Sequence, residues 1–251
     1  MLIEINELNK LGDNQHLLRY IDFTEFVSLL DRSSLYFSPL IDLSRYDIFE
    51  GELNNSEEAL SKLCGSYEGK SNKIEIYKRN VAVCCWNINE EESYLMWKTY
   101  SDFNRGIVIK TTFKKLQESL KNNKKDVYIG MVNYQEDICS SNTELNPIFL
   151  ASRKLPFFKE EKELRLIIVK SNFQKDFAKM NNDEEPKWFD YEKNIEIDIR
   201  KLIEEVIVSP GAEKWFSDLV KNILKKYDLC NIKVKESNIR KRVPKNISSS
   251  K

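Results

Sequence analysis

The stretch "FFKEEKELRLIIVK", Phe157–Lys170, decides how this chain folds. Two phenylalanines lead through a charged run into an aliphatic segment. Side chains on a strand alternate between faces. From Lys162 onward, Leu164, Leu166 and Ile168 therefore point one way, and Glu163, Arg165, Ile167 and Val169 point the other. Both faces are apolar from Leu166, which predicts a central strand covered on both sides. Glu163 and Arg165 then stand where a sheet face passes from rim to core. Partly buried charges need partners, supplied by neighbouring side chains or by a ligand. The plainer alternative is a structural ion cluster, or a helical start in which Glu161 and Arg165 pair four residues apart.

Working outward, the pattern is of short strands mixed with helices. "LLRYI" (Leu17–Ile21), "LYFS" (Leu35–Ser38), "NVAVCCWN", "RGIVIKT", "DVYIGMVNY", "NIEIDI", "EEVIVS" and "NIKVKES" read as strands. "DFTEFVSLLDRS" reads as a helix capped by Asp22, with Phe23, Phe26, Val27 and Leu30 on one face. Further helices are expected at Ser56–Leu63, at "SYLMWKTYS" capped by Ser93, at "TFKKLQESLKNN", around Pro147–Lys154 and at "EKWFSDLVKNILKKY". In the Ser93 helix, Leu95, Met96 and Thr99 would share one side and Trp97 and Tyr100 another; in the last helix, Trp215, Leu219, Ile223 and Leu224 would face inward. Glu68–Lys73 and "MNNDEEPKW" (Met180–Trp188) read as loops. Without strict strand–helix–strand alternation the expected class is α+β: a mixed, mostly antiparallel sheet core with peripheral helices. The expected organisation is a single globular domain over 1–239 and a basic, flexible tail over 240–251.

Composition narrows the function. The 251 residues carry 40 basic and 40 acidic side chains, so no global field draws the chain to nucleic acid or an anionic membrane. Only "IRKRVPK" near the end is locally basic, as a solvated terminus or a nucleic-acid contact. No apolar run approaches the roughly 20 residues of a membrane span, and no secretory leader follows Met1. Five irregularly spaced cysteines (Cys64, Cys84, Cys85, Cys139 and Cys230) suggest reduced thiols and a cytoplasmic location. His16 is the only histidine, so a Ser-His-Asp or Cys-His mechanism would depend on it, and no metal is expected. None of the seven glycines builds a GxGxxG or GxxxxGK[ST] loop. A nucleotide would have to be held without a glycine cradle.

Several motifs in order resemble a mostly bacterial family catalogued as domain of unknown function twenty-nine seventy-one, with abortive-infection relatives. They are "LLRYI", "LYFS", "YDIFE" with Asp47, Phe49 and Glu50, and a run of Met96, Trp97, Tyr100, Gly106 and Ile109. Lys154, then Phe158, Glu161, Glu163 and Arg165, and finally "IEEVIVSPG" complete the set, which spans nearly the whole chain. Phe158 stands where the family's pattern has Trp, and Tyr46 and Ile48 stand where it has Asn and Pro.

A second likeness is to ADP-ribosyltransferases, which bind NAD as a substrate without a glycine-rich loop and bring a catalytic glutamate from a late strand. That resemblance implies Glu163 or Glu161 as the catalytic acid, with Arg165 beside it. It implies Arg19 at the phosphates or ribose, Tyr36 or Trp97 against the nicotinamide and Ser38 near the ribose. Tyr20, Tyr100 and Lys154 join the same cofactor-binding set. A carboxylate would stabilise the oxocarbenium character that builds as the nicotinamide–ribose bond breaks. The implied role is ADP-ribosyl transfer or NAD cleavage in a toxin or anti-phage setting, with a small nucleotide or protein acceptor and an antitoxin or phage trigger as partners.

Two other classes remain open. The alternative is a non-catalytic module that senses a nucleotide or a protein. "EEK" (Glu160–Lys162) resembles the acidic-x-lysine element of metal-dependent nucleases, with Asp47 or Glu50 as the second carboxylate. Each singled-out residue also has an ordinary reading: Arg19 as a surface charge, Trp97 and Tyr100 as helix core, Tyr36 as packing, Glu50 as a solvated loop acid.

Overall fold

The computed structural model describes residues 1–5, 8, 11–44, 47, 50, 78–135, 148, 151–170 and 190–240. The expected helix at Ser56–Leu63, the loops at Glu68–Lys73 and Met180–Trp188, Phe49, Cys64, Cys139 and the tail beyond Arg240 lie outside the described residues.

In chain order the elements begin with β1 (Leu2–Glu4), β2 (His16–Ile21), α1 (Phe23–Arg32), β3 (Ser34–Tyr36), β4 (Ser38–Pro39), α2 (Leu40–Leu43) and β5 (Val81–Ile88). There follow α3 (Tyr94–Tyr100), β6 (Ile107–Thr112), α4 (Phe113–Ser119), β7 (Val127–Met131), β8 (Asn133–Tyr134), β9 (Arg153–Lys154) and a 3-10 turn (Pro156–Glu161). The chain continues through β10 (Glu163–Val169), β11 (Asn194–Glu196), β12 (Glu205–Val208), α5 (Lys214–Lys226) and β13 (Lys233–Glu236). The class is α+β, with a mixed and mostly antiparallel sheet core. No helix among the described residues is long and apolar enough to cross a membrane.

Two compact units interleave along the sequence. The first comprises Met1–Lys10, Leu35–Cys85 and Asn123–Ile195, and the second Leu11–Ser34, Trp86–Asn122 and Glu196–Lys251. In the first unit β10 lies between β7 and β5. β7 runs antiparallel to β10, with Arg165 opposite Gly130, and parallel to β1. β4 adds to β5 with Ser38 opposite Val83. Every residue of β10 from Glu163 to Ile168 is buried, as a strand flanked on both edges and covered on both faces must be. Ile167 packs with Leu40, Val81, Val83 and Ala151.

In the second unit β2 pairs antiparallel with β6 over its whole length and with the end of β5. β6 in turn pairs with β12, and β12 runs parallel to β13. One face of this sheet gathers Leu18, Tyr20, Met96, Trp97, Val108 and Ile207 into a cluster. α1 starts with the expected Asp22 cap: the Asp22 carboxylate accepts from the Glu25 amide at 2.7 Å, and Glu25 accepts from the Asp22 amide at 3.0 Å. The Ser93 and Thr112 hydroxyls cap α3 and α4 by accepting from the Met96 and Lys115 amides, without the reciprocal bond.

Several expectations need correction. "LYFS" is two strands, because the Phe37 amide bonds to the Lys193 carbonyl instead of continuing the ladder. Arg153 and Lys154 form β9, parallel to β8, rather than ending a helix. Pro156 disfavours helical backbone at Leu155, which is extended here with ψ 151°. "NIEIDI" yields a strand of three residues, because a helical turn begins at Ile199–Leu202, with the Asp198 carbonyl accepting from the Lys201 and Leu202 amides. In α3 it is Met96 and Trp97 that turn inward, while Leu95 is exposed. In α5 the buried line is Phe216, Val220 and Leu224, spaced four apart, which leaves Trp215 50% exposed.

Gly106, where the turn after α3 enters β6, is held by contact on three sides. A Cβ there would meet the Asp102 carbonyl, Ser101 Oγ at 2.7 Å and Ser101 Cβ at 2.9 Å. Gly106→Ala is therefore expected to destabilise the protein by about 1–3 kcal/mol through overpacking. Urea unfolding checks this; an unchanged midpoint would mean that the turn has room to move.

Candidate functional site

The charged start of β10 is built by a reversal of the chain. Pro156 opens the 3-10 turn, and Lys162 closes it in the left-handed region at φ 43°. Glu160 and Lys162 lie exposed on either side of this reversal, while Glu161 and Glu163 turn inward. The two ends of the nuclease-like acidic-x-lysine element thus face solvent. The carboxylates it would need, Asp47 and Glu50, lie within ion-pair distance of Lys154, and Glu50 also pairs with Arg165.

Arg165 is 1% exposed. Its Nε donates to Glu163 Oε2 at 2.6 Å, and its two terminal nitrogens donate to the two oxygens of Glu50 at 2.6 and 2.9 Å. Nη1 also donates to the Ala151 carbonyl at 2.7 Å. A guanidinium has five N–H groups in a rigid fork, and four bonds leave it little freedom. Lys154 donates to Glu161 Oε2 at 2.6 Å and lies 3.5 Å from both Glu163 Oε1 and Asp47 Oδ2, and 3.8 Å from Glu50 Oε2. The Phe158 ring covers the same ammonium at 4.5 Å from its centre. Tyr134 on β8 accepts the Glu163 amide hydrogen on its hydroxyl at 2.9 Å, which fixes the backbone where the strand begins.

Four carboxylates, Asp47, Glu50, Glu161 and Glu163, thus surround two cations, Lys154 and Arg165. Burial alone would raise the Glu163 carboxyl, but the charges of Arg165 and then Lys154 overcome it and hold its pKa at about 2. Glu161 stands beside Glu163 through Lys154, whose ammonium faces both carboxylates. The Lys154 and Arg165 cations are held above their ordinary values: burial opposes each charge, and the surrounding carboxylates, Glu163 foremost, outweigh it. Burial and the Glu163 charge push the Tyr134 phenol up, so it stays protonated. Burial, followed by the same carboxylate, raises the Cys85 thiol.

Of the ten residues singled out in the sequence, Lys154, Glu161, Glu163 and Arg165 come together here. Glu50 is a paired core acid rather than a solvated loop residue; the sequence had offered it and Asp47 only as part of the "YDIFE" run and as the second carboxylate of a nuclease, and Tyr134 and Cys85 were missed. Tyr36 and Ser38 belong to the same unit; Tyr36 is 38% exposed, and the Lys193 ammonium lies 5.4 Å from its ring centre.

Arg19, Tyr20, Trp97 and Tyr100 belong to the second unit. Tyr20 and Arg19 are strand neighbours, so their side chains leave opposite faces of β2. Arg19 lies over Trp86 at 6.0 Å. Tyr20 meets Trp97 edge to face, its hydroxyl accepts from the Ser93 amide, and burial pushes its pKa up to about 12. Trp97 is 0% exposed and donates to Glu92 at 2.8 Å, so it packs the core with no face left for a ligand ring. Tyr100 is exposed. His16 is drawn into a separate ion cluster, with Nδ1 against Glu90 and Nε2 3.8 Å from Glu204, and forms no Ser or Cys triad among the described residues.

The depressed pKa of Glu163 is also a stability term. Its folded value lies below its ordinary 4.5. The contribution is therefore complete above the unfolded value and is lost as pH falls through the folded one. From about pH 5 to about pH 2 the protein should lose on the order of 3 kcal/mol through this group. Urea unfolding of native protein and Glu163→Gln across that range checks it: the gap between them should narrow toward low pH, and a constant gap would contradict the ion-pair account.

The chain matches no protein-family model, and no curated protein matches it in sequence. Among solved structures it is similar to DarT of Thermus sp. 2.9 in complex with carba-NAD+, at 8% identity and a TM-score of 0.40, covering 90% of this chain and 97% of that one. The NAD+ complex of the same DarT gives 6% identity and a TM-score of 0.38, covering 92% and 98%. Both TM-scores lie below the level at which two folds count as the same, so the reading of the site rests on its own geometry.

Proposed function

We propose that the first unit carries an NAD-cleaving site and that the chain is an ADP-ribosyltransferase or NAD-cleaving effector of a defence or toxin system. The observation that supports the reading is Glu163: a carboxylate kept ionised in a dry setting, with each oxygen facing a cation of fixed position. When the nicotinamide–ribose bond breaks, its electron pair leaves with the nicotinamide and positive charge develops on the ribose. A carboxylate that is already ionised and oriented stabilises that charge with no reorganisation at the moment of reaction. In this reading Glu163 is the catalytic residue. Glu161 shares the Lys154 ammonium with it, and Arg165 and Lys154 hold it in place. Tyr36 offers an accessible ring to the nicotinamide, and Ser38 lies two residues further on to meet the ribose.

A second reading is favoured by the burial itself. The carboxylates of the cluster all lie within ion-pair distance of a cation, and the side chains of Lys154, Glu50, Glu161, Glu163 and Arg165 are at most 8% exposed. A cluster of this kind also serves as the rigid floor of a module that senses a nucleotide or a protein without changing it.

Incubation with NAD, following nicotinamide release and label transfer to an acceptor in cell lysate, separates the two readings. Native protein should release nicotinamide, and Glu163→Gln, checked for folding by thermal unfolding, should do so at least about 10²-fold more slowly. NAD recovered intact with native protein, after subtracting the turnover of lysate alone, would sink the enzymatic reading and leave the sensing one.

A further inference from the structure

We infer that Glu50 is a positioning residue of this site: it locks the Arg165 guanidinium and, through it, aims the Glu163 carboxylate. The inference rests on the NAD-cleaving reading and adds a residue that touches none of the reacting atoms. Glu50 contacts both cations that contact Glu163, binding Arg165 through two parallel bonds and lying 3.8 Å from Lys154. It reaches Arg165 from 115 positions earlier in the chain, so nothing local to β10 can replace it. With the Nη edge held by Glu50 and the Ala151 carbonyl, the Nε–H has one direction left, and along it lies Glu163 Oε2 at 2.6 Å. Forked carboxylate–guanidinium pairs supply this kind of orientation. Without Glu50 the guanidinium would keep its bond to Glu163 but lose the plane in which that bond is made. The charge of Glu163 would persist while its direction would not.

The geometry also predicts which kinetic constant responds. Glu50 is 3% exposed and behind Arg165, so substrate affinity should not depend on it. A misdirected catalytic group costs roughly 10²-fold in rate for about 1 Å of displacement.

The test compares native protein, Glu50→Gln, Glu50→Asp and Glu163→Gln with NAD as the probe. Rates of nicotinamide release are taken per folded molecule, with the folded fraction read from thermal unfolding. The Arg165 Nε–H exchange rate is followed by ¹⁵N NMR. Both Glu50 variants should lower kcat by roughly 10²-fold with KM nearly unchanged, and Arg165 Nε–H exchange should become faster. Glu50→Asp keeps the charge and is the variant to rely on where Glu50→Gln folds poorly. A Glu50→Asp protein with native kcat and native Nε–H exchange would overturn the positioning role while leaving Glu163 as the catalytic carboxylate. Native protein that leaves NAD intact would overturn the NAD reading, and the positioning role with it.

Discussion

The first unit is organised around one guanidinium that has to be satisfied out of water. Moving an arginine into a protein interior costs several kcal/mol unless acceptors with good geometry replace the lost water. Arg165 obtains them from Glu50, from Ala151 and from Glu163, which come from three separate stretches of chain. Removing any of the charged acceptors leaves a buried cation short of a partner, so these stretches cannot drift apart independently. The apolar packing of Ile167 against Leu40, Val81, Val83 and Ala151 supplies the driving force for burial. The ion cluster determines which of the many ways of burying that strand is allowed.

This division of labour explains what could be read from the sequence. The strand at Glu163–Val169 and its two apolar faces followed from alternation alone, because a short strand buried on both sides has a composition that few other elements share. The caps at Asp22 and Ser93 were legible because capping is a local interaction over three residues. That Glu163 and Arg165 needed partners was also legible, from the cost of burying charge. The identity of the partner was not. Glu50 lies 115 positions from Arg165, and no periodicity links a loop acid to a distant strand. Trp97 fits its plain reading as helix core, whereas Trp215, expected inward, does not: a helix pattern shows that one side is apolar without saying how far the cover extends. Trp97 turned out fully enclosed, and Trp215 half open.

The electrostatics of the cluster bear on the type of chemistry available. A carboxylate whose pKa is about 2 is a poor proton acceptor at neutral pH, since efficient general bases have values near the working pH. Glu163 is thus ill suited to taking a proton and well suited to facing developing positive charge. Proton traffic would fall to another group at the same place, the Tyr134 phenol, which burial keeps protonated. With four carboxylates against two cations, the cluster has an excess of negative charge. A cationic group entering beside Glu163 would meet a field already in place. A neutral or anionic group would gain nothing there. In the proposed reading, breaking the nicotinamide–ribose bond moves positive charge from the pyridinium nitrogen to the ribose carbon and ring oxygen, and that is the charge Glu163 would face.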